Sequence, residues 1–254
     1  MEQYNTTSCA EIIPFSSLKP VISKSSPAKY CPDPTKLKTT IAVKKEDDLD
    51  AIKQELLYHF PKYGIRNFLI FWLGCHIGIR AGDLLTLRLR DIWDTNTHKV
   101  RNIFYIMEEK TDKIKEIRIR NEVLEAFNDY IPTLSDQSPD APLFPSRKKA
   151  AKISKKSMNR DKDDTGCLTT DSYGAILREV GKALGIPHLC THSMRKTYGY
   201  TLYTSYAKNN QLVNGQYRPA DFVQHEFGHK DLNITLKYID IAGDAREEAA
   251  CRMH

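Results

Sequence analysis

Three short segments of the chain carry side chains that are suited to chemistry on a phosphate group. In chain order they supply Arg80 and Asp83, then His192 and Arg195, then His229 and Tyr238. A lone surface arginine usually forms an ion pair, and two polar residues one helical turn apart are usually structural, so each segment alone is a weak signal. Their occurrence together, with Lys110 between the first and second segments, predicts one shared site.

These residue types could open a phosphodiester bond without a metal ion. The reaction needs a nucleophile, donors for the charge that builds on the non-bridging oxygens, and an acid for the leaving alkoxide. Tyr238 can attack phosphorus through its phenol oxygen, and Arg80 and Arg195 can pair bidentately with phosphate oxygens. Because a covalent phosphotyrosyl intermediate keeps the bond energy, we expect no cofactor and no metal.

The remaining candidates are suited to moving protons. Lys110 can protonate the leaving 5′ oxygen if it lies on a movable hairpin. His192 and His229 are suited to proton transfer or to hydrogen bonding with phosphate. Asp83 follows Arg80 by three residues, and we expect it to orient His192.

Apolar spacing predicts the elements that position these side chains. The predicted helices are Glu46–Tyr58, Ile65–Ile77, Ala81–Leu89, Glu122–Tyr130, Ser172–Leu184, Ser193–Tyr206, Ala220–Phe227 and a short piece near Ile234–Ile239. The segments Lys99–Met107 and Lys113–Arg120 are rich in β-branched and aromatic residues and predict a hairpin with Lys110 at its tip. The fold class is therefore α+β, mostly α, with one small antiparallel sheet.

Composition indicates a globular protein with a moderate cationic bias. The chain has 254 residues, 41% of them hydrophobic, and a formal net charge of +6. Its longest apolar run, residues 67–78, is too short to span a bilayer and no secretory signal is visible, so we expect a cytoplasmic protein with no membrane partner. The six cysteines are scattered without a Cys-x-x-Cys pair, which favours reduced thiols.

With these motifs, the sequence over residues 46–240 resembles the catalytic domain of the tyrosine recombinases, the phage integrase family. The matching positions are Gly78, Arg80, Asp83, Leu84 and Leu87; Lys110, Thr111 and Lys113; Leu143 and Phe144; His192 and Arg195; and Gly228, His229 and Tyr238. There are departures: Lys196 stands where the family usually has histidine, and Glu226 and Phe227 precede the Gly-His pair.

The resemblance implies a DNA breaking-rejoining fold and a site-specific recombinase that acts through a 3′-phosphotyrosyl intermediate. It implies double-stranded DNA as partner, a homotetramer on two DNA sites and a nucleoid-associated location. Residues 1–45 are expected to be a flexible basic tail, 46–240 the catalytic domain, and 241–254 a C-terminal helix or tail that could be exchanged between protomers. The 45 leading residues are too few for the helical core-binding domain, so the chain resembles short members such as the fimbrial invertases.

Other interpretations stay open from the sequence alone. The segment from His225 to His229 reads H-E-x-x-H, the zinc-binding helix of metallopeptidases, for which Glu247 or Glu248 would be a third ligand. A DNA-binding regulator could keep the fold without cleaving, and a type IB topoisomerase uses a similar residue set. The lysine-rich segment 147–164 is expected to be a solvated loop.

Overall fold

The structure is a computed structural model that describes residues 40–108, 113–119, 121–146, 166–207 and 212–239. Its helices are α1 (Glu46–Tyr58), α2 (Gly64–Ile77), α3 (Ala81–Leu85), α4 (Leu89–Ile92), α5 (Asn121–Tyr130), α6 (Thr170–Leu184), α7 (Thr191–Ala207), α8 (Pro219–Phe227) and α9 (Leu232–Ile239). Its strands are β1 (Trp93–Asp94), β2 (Lys99–Val100), β3 (Ile103–Glu108) and β4 (Lys113–Arg118). A 3₁₀ turn, Ile131–Thr133, follows α5.

Helix α2 lies at the centre of the core. It is apolar on nearly all sides, and Leu69, Ile70, Phe71 and Leu73 are fully buried. A helix of this kind needs neighbours all round it. Helices α1, α5 and α7 supply them by packing against it. The C-terminal end of α2 is therefore held firmly, and this end leads into the first arginine segment.

Two antiparallel two-stranded sheets lie beside the helices. Strands β3 and β4 pair from Ile103 opposite Arg118 to Glu108 opposite Lys113. Phe104 and Ile106 of β3 point into the core, following the period-two alternation of a strand. The predicted hairpin and the mostly helical α+β class are confirmed. The sheet formed by β1 and β2 was not expected, because strands of two residues leave no periodic pattern.

The predicted helices agree closely with the structure except in one place. Helix α1 has the predicted bounds, and α2 begins one residue earlier than predicted. The single helix expected over Ala81–Leu89 is two short helices, α3 and α4. The chain is extended at Arg88, the N-cap residue of α4, and its backbone amide donates to the Asp91 carboxylate at 2.7 Å. The first helix therefore ends before α4 begins.

Residues 40–45, which we call the N-terminal strap, lie against α7. The Val43 amide donates to Thr197 Oγ1 at 2.9 Å, and Lys196 Nζ donates to the Thr40 carbonyl at 2.5 Å. Val43 is buried. The flexible tail predicted over residues 1–45 is therefore wrong for its last six residues, because the apolar side chains among them find a place on the helical core.

Several sequence predictions fall on residues outside the described ranges. They concern residues 1–39, Lys110, the lysine-rich loop at 147–164 and the C-terminal segment 241–254. Among the residues that the structure does describe, no helix is long and apolar enough to cross a membrane. The cysteines within these ranges, Cys75, Cys167 and Cys190, are free thiols, as expected.

Candidate active site

The first arginine is positioned by the end of α2. Gly78 ends this helix in the left-handed conformation, with φ +67°, and a Cβ at this position would lie 2.0 Å from the ring of Tyr198. Glycine is required here both by the backbone angle and by the close approach of α7. Two residues later, Arg80 is the extended N-cap residue of α3. The sharp reversal at Gly78 thus brings the Arg80 guanidinium to Glu108, the last residue of β3.

The second arginine links the ends of two helices. Arg195 Nη1 donates to the Gly78 carbonyl at 2.5 Å, and Arg195 Nη2 donates to the Phe227 carbonyl at 3.3 Å. Its guanidinium also lies 4.4 Å from the centre of the Phe227 ring. Because these carbonyls end α2 and α8, they fix the guanidinium before any ligand binds. Burial lowers the pKa of Arg195, and the nearby Tyr238 and Glu108 oppose this shift.

A carboxylate connects the two arginines. Glu108 Oε2 lies 3.1 Å from Arg80 Nη1, and Glu108 Oε1 lies 3.5 Å from Arg195 Nη1. Its side chain is only 9% exposed. The two guanidiniums therefore face one point, which is occupied by the Glu108 carboxylate.

The third segment places a histidine at the end of α8. Gly228 ends α8 with φ +64°, and its amide donates to carbonyls of the last helical turn. His229 follows, and its Nδ1 lies 3.0 Å from Oγ1 of the fully buried Thr235 on α9. Partial burial lowers the pKa of His229, and Arg195 and Arg80 lower it further. The ring is therefore neutral near pH 7 and can accept a proton.

Helix α9 brings the tyrosine to the same place. The Tyr238 ring meets the rings of Phe227 and His229 edge-on, with centroid distances of 5.4 and 5.3 Å. The Arg195 guanidinium contacts the same Phe227 ring. Burial raises the pKa of Tyr238, while the positive charges of Arg195 and Arg80 lower it. The phenol is thus held in its neutral form, next to a guanidinium that favours the anion once a base removes the proton.

Two more predicted residues lie at the edge of this group. His192 is exposed in the first turn of α7, and its pKa is lowered by partial burial and by the cationic Lys196 and Arg195. Asp83 is buried with Oδ2 4.0 Å from Arg80 Nη1. The structure thus places Asp83 beside Arg80, and its expected contact with His192 stays a prediction.

The hairpin also carries a lysine that can be compared with Lys110. Lys115 Nζ lies 2.7 Å from Glu226 Oε1 and 3.4 Å from the Ile77 carbonyl, to which it donates. Lys115 therefore fastens β4 to α8 and to the end of α2. This structural role leaves Lys110, outside the described ranges, as our candidate for the acid.

Three residues of this region were not singled out as candidates from sequence. Glu108 occupies an inward position of β3, in alternation with the buried Phe104 and Ile106, and this spacing was a usable signal. Lys196 was noted only as a departure from the family pattern, yet its Nζ lies 5.2 Å from the centre of the Tyr238 ring. Thr235 gave no signal, since nothing in the sequence links it to His229.

The zinc interpretation requires His225 and His229 on successive turns of one helix. Helix α8 ends at Phe227, so His229 lies beyond its end and turns toward Thr235. The His225 ring instead stacks with Tyr217, at a centroid distance of 6.4 Å. Within the described ranges, no three or more His, Cys, Asp or Glu side chains form a group that could hold a metal ion. The H-E-x-x-H pattern therefore does not form a zinc-binding helix here.

Comparison with solved structures defines the fold. The crystal structure of XerA recombinase matches with a TM-score of 0.51 and 19% identity, covering 86% of this chain and 67% of that one. The structure of XerH site-specific recombinase bound to palindromic difH substrate matches with a TM-score of 0.53 and 18% identity. This match covers 85% of the present chain but 53% of XerH, so the chain spans about half of that relative. The fold is that of a tyrosine recombinase catalytic domain.

Sequence comparison gives the family. The probable integrase/recombinase YoeC of Bacillus subtilis (strain 168) is 24% identical over 196 residues, which are 77% of this chain and 89% of the relative. The model of the phage integrase family matches residues 46–244. The chain belongs to the phage integrase family and is a site-specific DNA recombinase, as the motifs predicted.

Proposed function

We propose that Arg80, Arg195, His229 and Tyr238, together with His192 and Lys110, form the active site that cleaves and rejoins DNA. The observation that carries this proposal is the position of Arg195. Its guanidinium is buried, contacts the Phe227 ring that Tyr238 meets edge-on, and faces the Glu108 carboxylate held at Arg80. One side chain therefore connects the candidate nucleophile to the place where an oxyanion binds.

In the proposed reaction, the Tyr238 oxygen forms a bond to phosphorus and the bond from phosphorus to the 5′ oxygen breaks. The products are a 3′-phosphotyrosyl protein and a free 5′ hydroxyl. Arg80 and Arg195 stabilise the charge that grows on the non-bridging oxygens. Attack by a 5′ hydroxyl from another strand reverses the step, joins the strands and releases Tyr238. Because the phosphodiester is exchanged and never hydrolysed, the reaction needs no external energy source.

Two protons must move during cleavage. The phenol loses one, and neutral His229 is placed to accept it or to bind the phosphate, since its ring meets that of Tyr238 and Thr235 engages Nδ1. The leaving 5′ oxygen gains the other from Lys110, in our proposal. His192 is assigned to hydrogen bonding with the phosphate, and Asp83 to positioning Arg80.

We also infer a homotetramer on two DNA sites. Recombination of two duplexes breaks four strands, and each protomer has one candidate nucleophile. A protein that brings together two chromosomal sites is also expected at the nucleoid. Products with exchanged strands would distinguish this activity from that of a type IB topoisomerase, which relaxes supercoils without joining two sites.

The test is formation of a covalent adduct with labelled duplex DNA from the protein's own genetic neighbourhood. On a denaturing gel, the wild-type chain should yield a protein-DNA adduct, whereas Tyr238→Phe should yield none and still shift the DNA on a native gel. The matched control is Tyr203→Phe, because Tyr203 packs in the same apolar cluster at the α8 and α9 side of α7. Its adduct should match that of the wild type.

An adduct that survives in Tyr238→Phe would refute the assignment of the nucleophile. DNA binding without an adduct in the wild-type chain, under conditions that also allow no recombination, would favour the non-cleaving regulator.

A further inference from the structure

Glu108 is a buried acidic residue for which the mechanism so far gives no role. It is the last residue of β3 and pairs with Lys113 in the final register position of the hairpin. Its side chain follows Phe104 and Ile106 on the inward face of the strand. A carboxylate is expensive to bury unless it is paired with cations. Its position therefore depends on the two arginines that it contacts.

The contacts of Glu108 have the form expected of a bound oxyanion. One carboxylate oxygen pairs with Arg80 at 3.1 Å, and the other pairs with Arg195 at 3.5 Å. A phosphodiester presents two non-bridging oxygens on one atom in a similar way, and planar guanidiniums recognise both groups. Glu108 thus makes the contacts that we assign to the phosphate.

We propose that Glu108 is a positioning residue whose carboxylate occupies the place of the scissile phosphate until DNA binds and then gives way to it. In the DNA-free protein it keeps two like-charged guanidiniums together and aimed at one point. The phosphate then enters a site that is already arranged. This inference rests on the proposed roles of Arg80 and Arg195.

Charge repulsion favours replacement of the Glu108 carboxylate by the phosphate over binding of both anions between the two arginines. Two negative charges that lie next to each other in a partly buried site repel strongly. A phosphate between the guanidiniums would lie next to the Glu108 carboxylate if that side chain stayed in place. Withdrawal of Glu108 relieves this repulsion.

The experiment measures binding of inorganic phosphate to the full DNA-free chain by titration calorimetry. Glu108→Gln keeps the shape of the side chain but removes the competing charge, so it should bind phosphate at least about 10-fold more tightly than the wild type. The matched control is Glu226→Gln, which removes a carboxylate from the ion pair with Lys115. Its affinity should stay within about two-fold of wild type, because Coulomb effects of charges outside the clamp are weak in water.

A second measurement shows whether phosphate displaces the Glu108 carboxylate or whether Glu108→Gln acts only by removing a nearby negative charge. It uses the wild-type chain and so does not depend on the folding of a variant. In crystals of the wild-type chain soaked in phosphate, the ion should lie between Arg80 and Arg195. The Glu108 carboxylate should then lie beyond ion-pair distance from both. Phosphate bound while Glu108 keeps both ion pairs, or a Glu108→Gln chain that binds phosphate no more tightly than wild type, would overturn the proposal.

Failure of this inference can be distinguished from failure of the proposed function. Arg195→Ala in the Glu108→Gln chain should abolish the gain in phosphate affinity. If that gain persists, the anion site is elsewhere and the proposal about Glu108 is refuted. The adduct test with Tyr238→Phe uses DNA and a different side chain, so its outcome does not depend on Glu108.

Discussion

Arg195 is fixed from several directions before any DNA is present. Two helix-terminal carbonyls, the Phe227 ring and the Glu108 carboxylate all contact its guanidinium. Each contact restricts the side chain, so the phosphate binding that we propose would need little further ordering of Arg195. A lysine has no planar fork and could not satisfy the carbonyls of Gly78 and Phe227 and an oxyanion at the same time. The requirement for arginine is therefore geometric as well as electrostatic.

Lys110 can be tested as the general acid through the leaving group. Lys110→Ala should slow cleavage of ordinary DNA by about 10²- to 10⁴-fold, the range typical of general acid catalysis. On DNA with a sulfur in place of the 5′ bridging oxygen, the variant should approach the wild-type rate, because a thiolate leaves without a proton. Single-turnover adduct formation on both substrates measures the effect.

Two controls make the Lys110 experiment specific. Arg195→Ala should remain slow on both substrates, since the charge on the non-bridging oxygens still needs stabilisation. Lys115→Ala should show no rescue by sulfur, because Lys115 is tied to Glu226 and the Ile77 carbonyl. If Lys110→Ala is equally impaired on both substrates, Lys110 positions the DNA and another group is the acid.

The end of α2 is the element on which both arginines depend. Gly78 turns the chain toward Arg80 and its carbonyl accepts from Arg195. The ring of Tyr198 on α7 packs directly over the glycine. Any side chain at this position would have to displace that ring, and α7 carries Arg195. Local backbone geometry and assembly of the phosphate clamp are therefore coupled at one residue.

Gly78→Ala should cost about 2–5 kcal/mol of unfolding free energy. About 1–2 kcal/mol would come from placing alanine at positive φ, and about 1–3 kcal/mol from the collision with Tyr198. Gly185→Ala is the matched control, because Gly185 ends α6 with φ +70° and has no atom within 4 Å of its virtual Cβ. Gly185→Ala should lose only about 1–2 kcal/mol of unfolding free energy, the part that comes from placing alanine at positive φ. Urea unfolding measures the free energy of unfolding of both variants. Equal losses would show that Tyr198 on α7 moves aside without an energetic cost.

The long helices could be predicted from sequence because their apolar spacing is regular. Ile52 and Leu56 mark the buried face of α1, and α2 contains the apolar run 68–73 and is bounded by Gly64 and Gly78. The split between α3 and α4 could not be predicted, because it depends on the extended backbone of Arg88 and on the bond from its amide to the Asp91 carboxylate. Short elements of this kind are decided by local capping and tertiary contacts more than by periodicity.

Much of the candidate site also followed from sequence, since arginine, histidine and tyrosine occur in recognisable motifs. The supporting residues did not follow as easily. Thr235 contacts His229 only because the chain turns between α8 and α9. Glu108 precedes a polar stretch of the sequence, where an acidic residue is normally expected to be solvated, but its side chain is buried against two arginines. Such roles arise from juxtaposition in space, which one sequence alone does not show.

The N-terminal strap changes how the whole chain is organised. Residues 40–45 close over α7 on the side of Lys196 and Thr197, and Lys44 Nζ lies 5.0 Å from the centre of the Tyr200 ring. Lys196 contacts both the strap and the ring of Tyr238. A single side chain therefore lies between the strap and the candidate nucleophile. The strap therefore belongs with the catalytic core, and the question of a DNA-binding tail concerns residues 1–39 alone.

Deleting residues 1–39 tests whether the tail binds DNA in place of a core-binding domain. The segment has five lysines and three acidic residues, and its removal leaves the strap intact. If the lysines neutralise phosphates, the slope of log affinity against log salt should fall by about 0.9 for each phosphate that the shortened chain no longer neutralises, while the free energy of unfolding is unchanged. Replacing the five lysines by glutamine should reproduce the shallower slope at full chain length. Deleting residues 1–45 should in addition destabilise the fold, because it removes the buried Val43 and uncovers the part of α7 that the strap covers. Fluorescence anisotropy from about 50 to 200 mM salt gives the slopes, and a deletion with the wild-type slope would show that this segment makes no phosphate contacts.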